Sequence, residues 1–338
     1  MADQSGTPVT CGNLDCKVAE DGKCVEGLPL ERCPHYGRPP AADAPATTDE
    51  PESTVVSGVA LPPGDLMNTA DAASILRIGD TRVIAIIGPR GAGKTTLIAS
   101  LYELFQLGPV GDSRFARSQT LYAFERACHH SRAVSLRGAP ATERTIVKDV
   151  HFYHLGIRIG SAPILDLLLA DRAGEEYRDA TDDVSISRGF VEIGRADVIT
   201  LLVDGKRLLD LASRHAVQSE IIMILQALID GDAIAGRPRV AIALTKTDEV
   251  GASADNERVE RDFDALAARI QQLFSAKFGP MRSFRVAACP ADDTVARGQG
   301  VEELLDFWNE PATAPENQRL VPLAMPARLM SRLAPAEE

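Results

Sequence analysis

Short apolar runs alternate with stretches of helical periodicity through the middle of this chain. The apolar runs that predict strands are 82–88, 150–160, 162–171, 196–205, 239–248 and 283–289. The stretches with apolar residues three or four positions apart, which predict helices, are 95–105, 206–230, 256–277 and 300–309. This alternation predicts an α/β fold with a mostly parallel sheet and helices on both faces, in which 150–160 and 162–171 are adjacent strands. Such sheets bind ligands at the carboxyl ends of their strands.

The composition outside this pattern divides the chain into four zones. We expect a cysteine-rich head at 1–36, a flexible linker rich in Pro, Ala, Asp and Thr at 37–66, a globular domain at 67–310 and a loose tail at 311–338. The head holds four of the six cysteines of the chain.

The overall charge narrows the classes of partner. The 338 residues carry a formal net charge of −12, which argues against electrostatic binding to nucleic acid or to an anionic membrane. No apolar run approaches the roughly 20 residues of a membrane span, and the first ten residues lack the basic start and apolar stretch of a secretory signal. We therefore expect a cytoplasmic protein whose cysteines are thiols or metal ligands.

A phosphate-binding motif stands between the first predicted strand and the helix that follows it. The stretch GPRGAGKTT matches the pattern G-x-x-x-x-G-K-[ST], in which backbone N–H groups and a helix N-terminus surround phosphate oxygens. Lys94 is expected to contact the β- and γ-phosphates, and the Thr95 hydroxyl to ligate Mg²⁺. Arg90 either contacts phosphate or a switch segment, or lies in solvent. The predicted nucleotide contacts of this loop are Gly88, Arg90, Gly91, Ala92, Gly93, Lys94, Thr95 and Thr96.

The buried run LLLAD ends at Asp171, which together with Gly174 forms an Asp-x-x-Gly motif. At the end of a strand beside the phosphate loop, Asp171 can hold Mg²⁺ through water, and the Gly174 N–H can meet the γ-phosphate.

Two later strand ends predict a preference for guanine. The Asp248 carboxylate can accept hydrogen bonds from N1–H and the 2-amino group of guanine, which adenine lacks, while the Lys246 stem covers the base. Thr245 is expected to brace the phosphate loop, and a backbone N–H at Ala288 or Cys289 to meet the guanine O6. This set disfavours an ATP-driven enzyme.

All four motifs, in this order, resemble those of the translation-factor-like and Ras-like GTPases, over about residues 80–310. A closer resemblance, carried by IIGPRGAGKTTLIASLYELF, SQTLYAFERACHHSR and the cysteine-rich head, is to the bacterial double-GTPases of the second type, found in predicted conflict or defence systems. It implies Mg²⁺-dependent GTP hydrolysis, a molecular switch and a second GTPase as partner.

Glu175 and Cys289 depart from the small-GTPase pattern, which has glutamine and lysine at these places. That glutamine orients the attacking water. An ionised glutamate can accept a hydrogen bond from the water or take its proton, but it repels phosphate. Arg172, Arg90 or an arginine of a partner would offset this charge. We expect Glu175 and Lys94 to be catalytic and intrinsic hydrolysis to be slow; a GTP-binding scaffold without turnover stays open as the alternative.

The segment before residue 150 is expected to supply a threonine that closes over Mg²⁺ and the γ-phosphate. Thr145 is the candidate and Thr142 the rival. An inserted helix is predicted at LYAFERACHH, where adjacent Cys128, His129 and His130 point in different directions and are not expected to share a metal.

The head places Cys11, Cys16, Cys24 and Cys33 in a segment too short for its own apolar core. We expect these four thiolates to bind Zn²⁺, or three of them together with His35. The spacing lacks paired C-x₂-C units, so free thiols in a disordered tail or an oxidised knot remain alternatives.

Overall fold

A computed structural model describes six parts of the chain, which fall into two compact units, 1–60 and 61–338. The described residues are 18, 29–33, 36–37, 64–133, 149–290 and 294–311, with side chains described as far as 129 in the fourth part. In the first unit they include a short 3-10 turn at Leu30–Arg32. The predictions for Thr142, Thr145, Cys11, Cys16, Cys24 and His35 lie outside the described residues.

The second unit is built on a sheet with seven described strands. They are β1 Thr81–Ile87, β2 Ser113–Arg117, β3 His151–Ile159, β4 Leu165–Asp171, β5 Val198–Asp204, β6 Arg239–Thr245 and β7 Met281–Val286. The strand order is β2-β3-β4-β1-β5-β6-β7. Strands β4, β1, β5, β6 and β7 run parallel, and β3 is antiparallel to β2 and to β4. The predicted mostly parallel α/β sheet is confirmed, and β3 and β4 are neighbours.

Helices cover both faces of this sheet. They are α1 Thr69–Ile75, α2 Lys94–Leu107, α3 Leu121–Ala133, α4 Gly174–Asp182, α5 Val191–Arg195, α6 Gly205–Leu209, α7 Arg214–Asp230, α8 Thr247–Gly251, α9 Asn256–Phe274 and α10 Val301–Asn309. The apolar sides of α2, α3 and α10 form one core with the sheet. Those of α4, α7 and α9 form a second core on the opposite face. None of the described helices is long and apolar enough to cross a membrane.

The predicted helix at 206–230 is wrong in one respect, because it is two helices, α6 and α7. The Asp210 carboxylate accepts a hydrogen bond from the Ala212 N–H at 3.1 Å, and such side-chain bonds compete with helical backbone pairing. The sequence analysis also missed α1, although Asn68 and Asp71 form a capping box at its start.

Trp308, the single tryptophan of the chain, fixes α10 against the sheet. Its ring is fully buried, and Nε1 donates to Thr200 Oγ1 of β5 at 2.9 Å. Arg82 at the start of β1 and Arg239 at the start of β6 donate to the Trp308 carbonyl. These contacts satisfy carbonyl groups that a helix C-terminus otherwise leaves unpaired.

Candidate nucleotide-binding site

The phosphate-loop motif forms the turn from β1 into α2. Gly93 precedes α2 with φ of 95°, a left-handed conformation that favours glycine. A Cβ at Gly91 or at Gly93 would meet no atom within 4 Å, so backbone conformation, rather than crowding, requires these glycines. The first N–H groups of α2 therefore lie beside a loop with open space, an arrangement that suits an anion.

Lys94 lies inside this loop with 7% of its surface exposed. Its Nζ donates to the carbonyls of Gly88 at 2.9 Å and Pro89 at 3.3 Å. Burial lowers the pKa of Lys94 below its ordinary value, and the negative charges of Asp171 and Glu175 offset only part of this effect. The carboxylates next to the loop thus favour the ammonium form that a phosphate would bind.

Thr95 and Asp171, the two described residues predicted to hold Mg²⁺, are in contact. The Thr95 hydroxyl donates to Asp171 Oδ2 at 2.7 Å. Strand pairing produces this contact, because β4 is parallel to β1 and Asp171 lies opposite Ile86 just before the loop. A hydroxyl and a carboxylate are hard oxygen ligands of the kind Mg²⁺ prefers, so this pair fits the ion. The third predicted ligand, Thr145, lies outside the described residues.

Gly174, the first residue of α4, packs directly on the phosphate loop. A Cβ at this position would overlap the backbone of Pro89 and Arg90. The next residue, Glu175, has its Oε1 3.7 Å from Arg90 Nε, with 71% of the Arg90 side chain exposed. Arg90 is therefore the arginine that approaches Glu175.

Arg172 points elsewhere, although the sequence analysis considered it as a partner for Glu175. Its Nε and Nη2 donate to the two carboxylate oxygens of Glu192 at 2.6 and 3.0 Å, and Nη1 donates to Glu176 at 2.5 Å. Burial lowers the pKa of Arg172, but the hydrogen bond and charge of Glu192 outweigh this and raise it above its ordinary value. Glu192 lies twenty residues from Arg172 and was missed, because no local pattern marks it.

The end of β6 approaches the same loop from its other side. The Thr245 hydroxyl donates to the Ala92 carbonyl at 3.0 Å. Lys246 follows in a left-handed conformation with φ of 57°, and its Nζ donates to Asp204 Oδ2 at 2.7 Å. Asp204 ends β5 and is buried. It was also missed, although an aspartate at the end of an apolar strand is a visible signal in LLVDG.

Asp248 lies in the first turn of α8, and Ala288 and Cys289 follow β7 as half-buried residues. Burial raises the pKa of the Cys289 thiol; Arg297 lowers it, and the negative charges of Glu103 and Asp248 raise it further. Strands β6 and β7 pair in parallel with Thr245 opposite Val286, so their carboxyl ends lie side by side.

Two other groups considered from the sequence have members among the described residues. The inserted helix is α3, in which Cys128 is buried with its Sγ 3.5 Å from the Ala99 carbonyl and His129 is exposed. Cys33, the one predicted zinc ligand within the described residues, is half-buried. Across the part of the chain that the structure describes, no three His, Cys, Asp or Glu side chains are grouped to hold a metal ion.

Comparisons with known proteins place these features in a family. Among solved structures, the chain is similar to Methanosarcina barkeri Roco2 RocCORdC bound to GDP, at 15% identity and a TM-score of 0.33, covering 74% of this chain and 50% of that one. It is similar to the signal recognition particle receptor SRb-GTP/SRX complex from Chaetomium thermophilum, at 16% identity and a TM-score of 0.37, covering 68% and 95%.

It is also similar to the S. cerevisiae Ski7 GTPase-like domain bound to GTP, at 16% identity and a TM-score of 0.39, covering 72% and 53%. The chain thus spans about half the length of the Roco2 and Ski7 chains. No curated protein matches it. The family model described as Double-GTPase 2 matches residues 82–309, which is more than half of the chain. The chain belongs to the Double-GTPase 2 family.

Proposed function

We propose that this protein binds GTP with Mg²⁺, hydrolyses it to GDP and phosphate, and acts as a molecular switch. The observation that carries the proposal is the 2.7 Å contact between Thr95 and Asp171, which joins the phosphate loop to the Asp-x-x-Gly segment. Membership of the Double-GTPase 2 family supports GTP as the nucleotide.

In this proposal the phosphates lie in the loop between β1 and α2. Lys94 binds the β- and γ-phosphates in exchange for the loop carbonyls that it now contacts. The Gly174 N–H is directed to the γ-phosphate by its close packing on Pro89 and Arg90. The remaining contacts come from Gly88, Arg90, Gly91, Ala92, Gly93, Thr95 and Thr96.

Thr95 and Asp171 hold Mg²⁺ in this proposal, with Thr145 as the third ligand. The ion neutralises charge on the β- and γ-phosphate oxygens. The 2.7 Å hydroxyl–carboxylate contact supports two of these three ligands.

The guanine base is proposed to lie between the ends of β6 and β7. Asp248 accepts from the two guanine donors, Lys246 covers the base, and Ala288 or Cys289 offers a backbone N–H to O6. The 3.0 Å hydrogen bond from Thr245 to the Ala92 carbonyl supports a base pocket held in register with the phosphate loop.

Glu175 is proposed to face the attacking water. An ionised carboxylate there repels the γ-phosphate, and Arg90 at 3.7 Å offsets part of this charge. We therefore infer slow intrinsic hydrolysis that a protein partner, which can supply an arginine, accelerates. The same carboxylate favours a second candidate function, a scaffold that holds GTP without turnover.

Calorimetric titration with GTP and with ATP, in the presence of Mg²⁺, tests the nucleotide claim. We expect GTP to bind and ATP to bind far more weakly; tight ATP binding with indifference to GTP would reject guanine recognition. Lys94→Met serves as the control that removes phosphate binding. A multiple-turnover phosphate-release assay then separates the switch, which turns over slowly, from the scaffold, which does not.

The proposal extends to the ends of the chain. We propose a zinc-binding head at 1–36, with Cys11, Cys16, Cys24 and Cys33 or with His35 in place of one cysteine, a linker at 37–66, a GTPase domain at 67–310 and a tail at 311–338. The head is proposed to recruit a partner, with a second GTPase of a bacterial conflict system in the cytoplasm as the candidate. One equivalent of zinc in the purified protein, lost when the cysteines are changed to serine, is the expected result.

A further inference from the structure

We propose that the buried Arg172–Glu192 pair makes α5 move with the start of α4, so that Glu192 is a positioning residue for Gly174 and Glu175. This inference rests on the proposed function, because it concerns how the γ-phosphate-facing segment is held.

Arg172 lies in the chain between Asp171 and Gly174, the two residues of the Asp-x-x-Gly motif. It follows Asp171, which contacts Thr95, and it precedes Gly174, which packs on the phosphate loop. Any displacement of Asp171 or Gly174 when nucleotide binds is therefore transmitted to the Arg172 backbone. The Arg172 side chain reaches across to Glu192 in α5 through two hydrogen bonds of 2.6 and 3.0 Å.

Burial prevents this pair from opening in place. Arg172 is 4% exposed and Glu192 is 1% exposed. Separating the two charges is strongly unfavourable, because each would lose its counter-charge in a low-dielectric environment. If Arg172 moves, the low-energy response is for Glu192, and the helix that carries it, to follow.

Phe190 adds a second connection between the same two helices. The Arg172 guanidinium lies 4.4 Å from the centre of the Phe190 ring, and the Tyr177 ring of α4 packs edge-on against that ring at 5.4 Å. Phe190 immediately precedes α5. Arg172, just before α4, and Tyr177, in the first turn of α4, therefore both contact Phe190.

The Tyr177 hydroxyl is a further buried polar group of α4. It is fully buried, and among the described residues no group forms a hydrogen bond with it. Burial raises the pKa of Tyr177, and the negative charges of Glu192, Asp171 and Glu176 raise it further, while the positive charge of Arg172 lowers it.

Apolar side chains mark where such a movement would reach the surface. Val184 and Ile186, in the 3-10 turn between α4 and α5, and Val191 in α5 are exposed. The turn also contacts α7, because the Ser187 hydroxyl lies 3.3 Å from the Ala227 carbonyl. A change of nucleotide should therefore alter backbone protection over 184–195.

Hydrogen exchange of the full chain, loaded with GDP or with a non-hydrolysable GTP analogue, tests the link. In the wild type we expect protection over 184–195 to differ between the two states. Glu192→Met keeps side-chain length but removes both hydrogen bonds to Arg172, and should abolish this difference. We also expect its single-turnover hydrolysis rate to fall about 10- to 100-fold, while GDP affinity changes less than about threefold.

Two further variants separate positioning from stability. Asp166→Asn removes a buried carboxylate partner of Arg117 at the opposite end of β4, and should destabilise the fold while keeping the state-dependent exchange. Arg172→Met/Glu192→Met removes both charges of the pair, serves as the second variant if the single one fails to fold, and should also lose the exchange difference.

The outcomes are distinct. If the wild type binds and hydrolyses GTP but Glu192→Met, or the double variant, keeps both the exchange difference and the rate, the link is rejected and the proposed function stands. If the wild type binds no GTP, the proposed function and this inference are rejected together.

Discussion

Arg90 of the phosphate loop and Glu175 of α4 face each other, with Nε and Oε1 3.7 Å apart. Most of the Arg90 side chain is exposed, so such an ion pair contributes only about 0–1 kcal/mol. A pair this weak is readily exchanged, because a γ-phosphate carries more charge than a single carboxylate. In the proposed function, this exchange would let Arg90 contact Glu175 in one nucleotide state and phosphate in another.

We predict that Glu175→Gln raises the single-turnover rate of GTP hydrolysis by about tenfold, equivalent to about 1.4 kcal/mol in the barrier. The amide removes the repulsion of the phosphate and adds an N–H donor for the developing charge. Rapid-quench measurement of GDP formation checks this. Fast hydrolysis by the wild type, slowed by the same substitution, would instead make Glu175 a general base.

Asp248→Asn is predicted to lower GTP affinity by about 100-fold, because each hydrogen bond to a charged group contributes about 1.5–3 kcal/mol. Affinity for xanthosine triphosphate should rise, since an amide can donate where xanthine presents a carbonyl. Competition calorimetry with the two nucleotides measures both changes. Asp306→Asn, the same chemical change at an exposed position of α10, should alter neither affinity.

Asp204→Asn is predicted to weaken GTP and GDP binding alike, by about tenfold. The buried Asp204 carboxylate holds Lys246 Nζ at 2.7 Å, and a charge-assisted hydrogen bond is roughly twice as strong as a neutral one. The preference for guanine over xanthine should not change, because Asp248 is intact. Titration with GDP, GTP and xanthosine triphosphate tests this, and a change in base preference would contradict the positioning role.

The free energy of unfolding is predicted to decrease as pH drops below the ordinary histidine pKa of about 6.5. His154 is buried, with Nε2 3.0 Å from Asp166 Oδ1 and Nδ1 accepting from the Gln119 N–H at 3.0 Å. Burial lowers the pKa of His154 and Arg117 lowers it further, while Asp166 opposes them. The unfolded chain then binds the proton more readily than the folded one. The contribution of neutral His154 to the free energy of unfolding is therefore complete above this pH and decreases below it.

Urea denaturation followed by circular dichroism, at several pH values from about 7.5 to 5.5, measures this slope, which a single histidine limits to about 1.4 kcal/mol per pH unit. His154→Gln should flatten the profile. An equal slope in the variant would assign the pH dependence to other groups.

Short contiguous patterns account for what the sequence could predict. The apolar strands, the phosphate-loop glycines and the Asp-x-x-Gly segment are local, and parallel strand pairing then brings Thr95 to Asp171. The Arg172–Glu192 and Lys246–Asp204 pairs could not be predicted, because they join residues 20 and 42 positions apart that only the folded sheet brings together. Strand β2 was missed because SRFAR is short and three of its five residues are serine or arginine. Thr145 and the zinc ligands outside the described residues stay predictions.

Trp308 gives the protein an intrinsic optical reporter. Because it is the chain's single tryptophan, tryptophan emission comes from one known place, the side of α10 that contacts Thr200 of the sheet. Exposure to water on unfolding should shift that emission to longer wavelength without any added label. Every substitution proposed above leaves this indole in place, so the same spectroscopic signal can compare their stabilities.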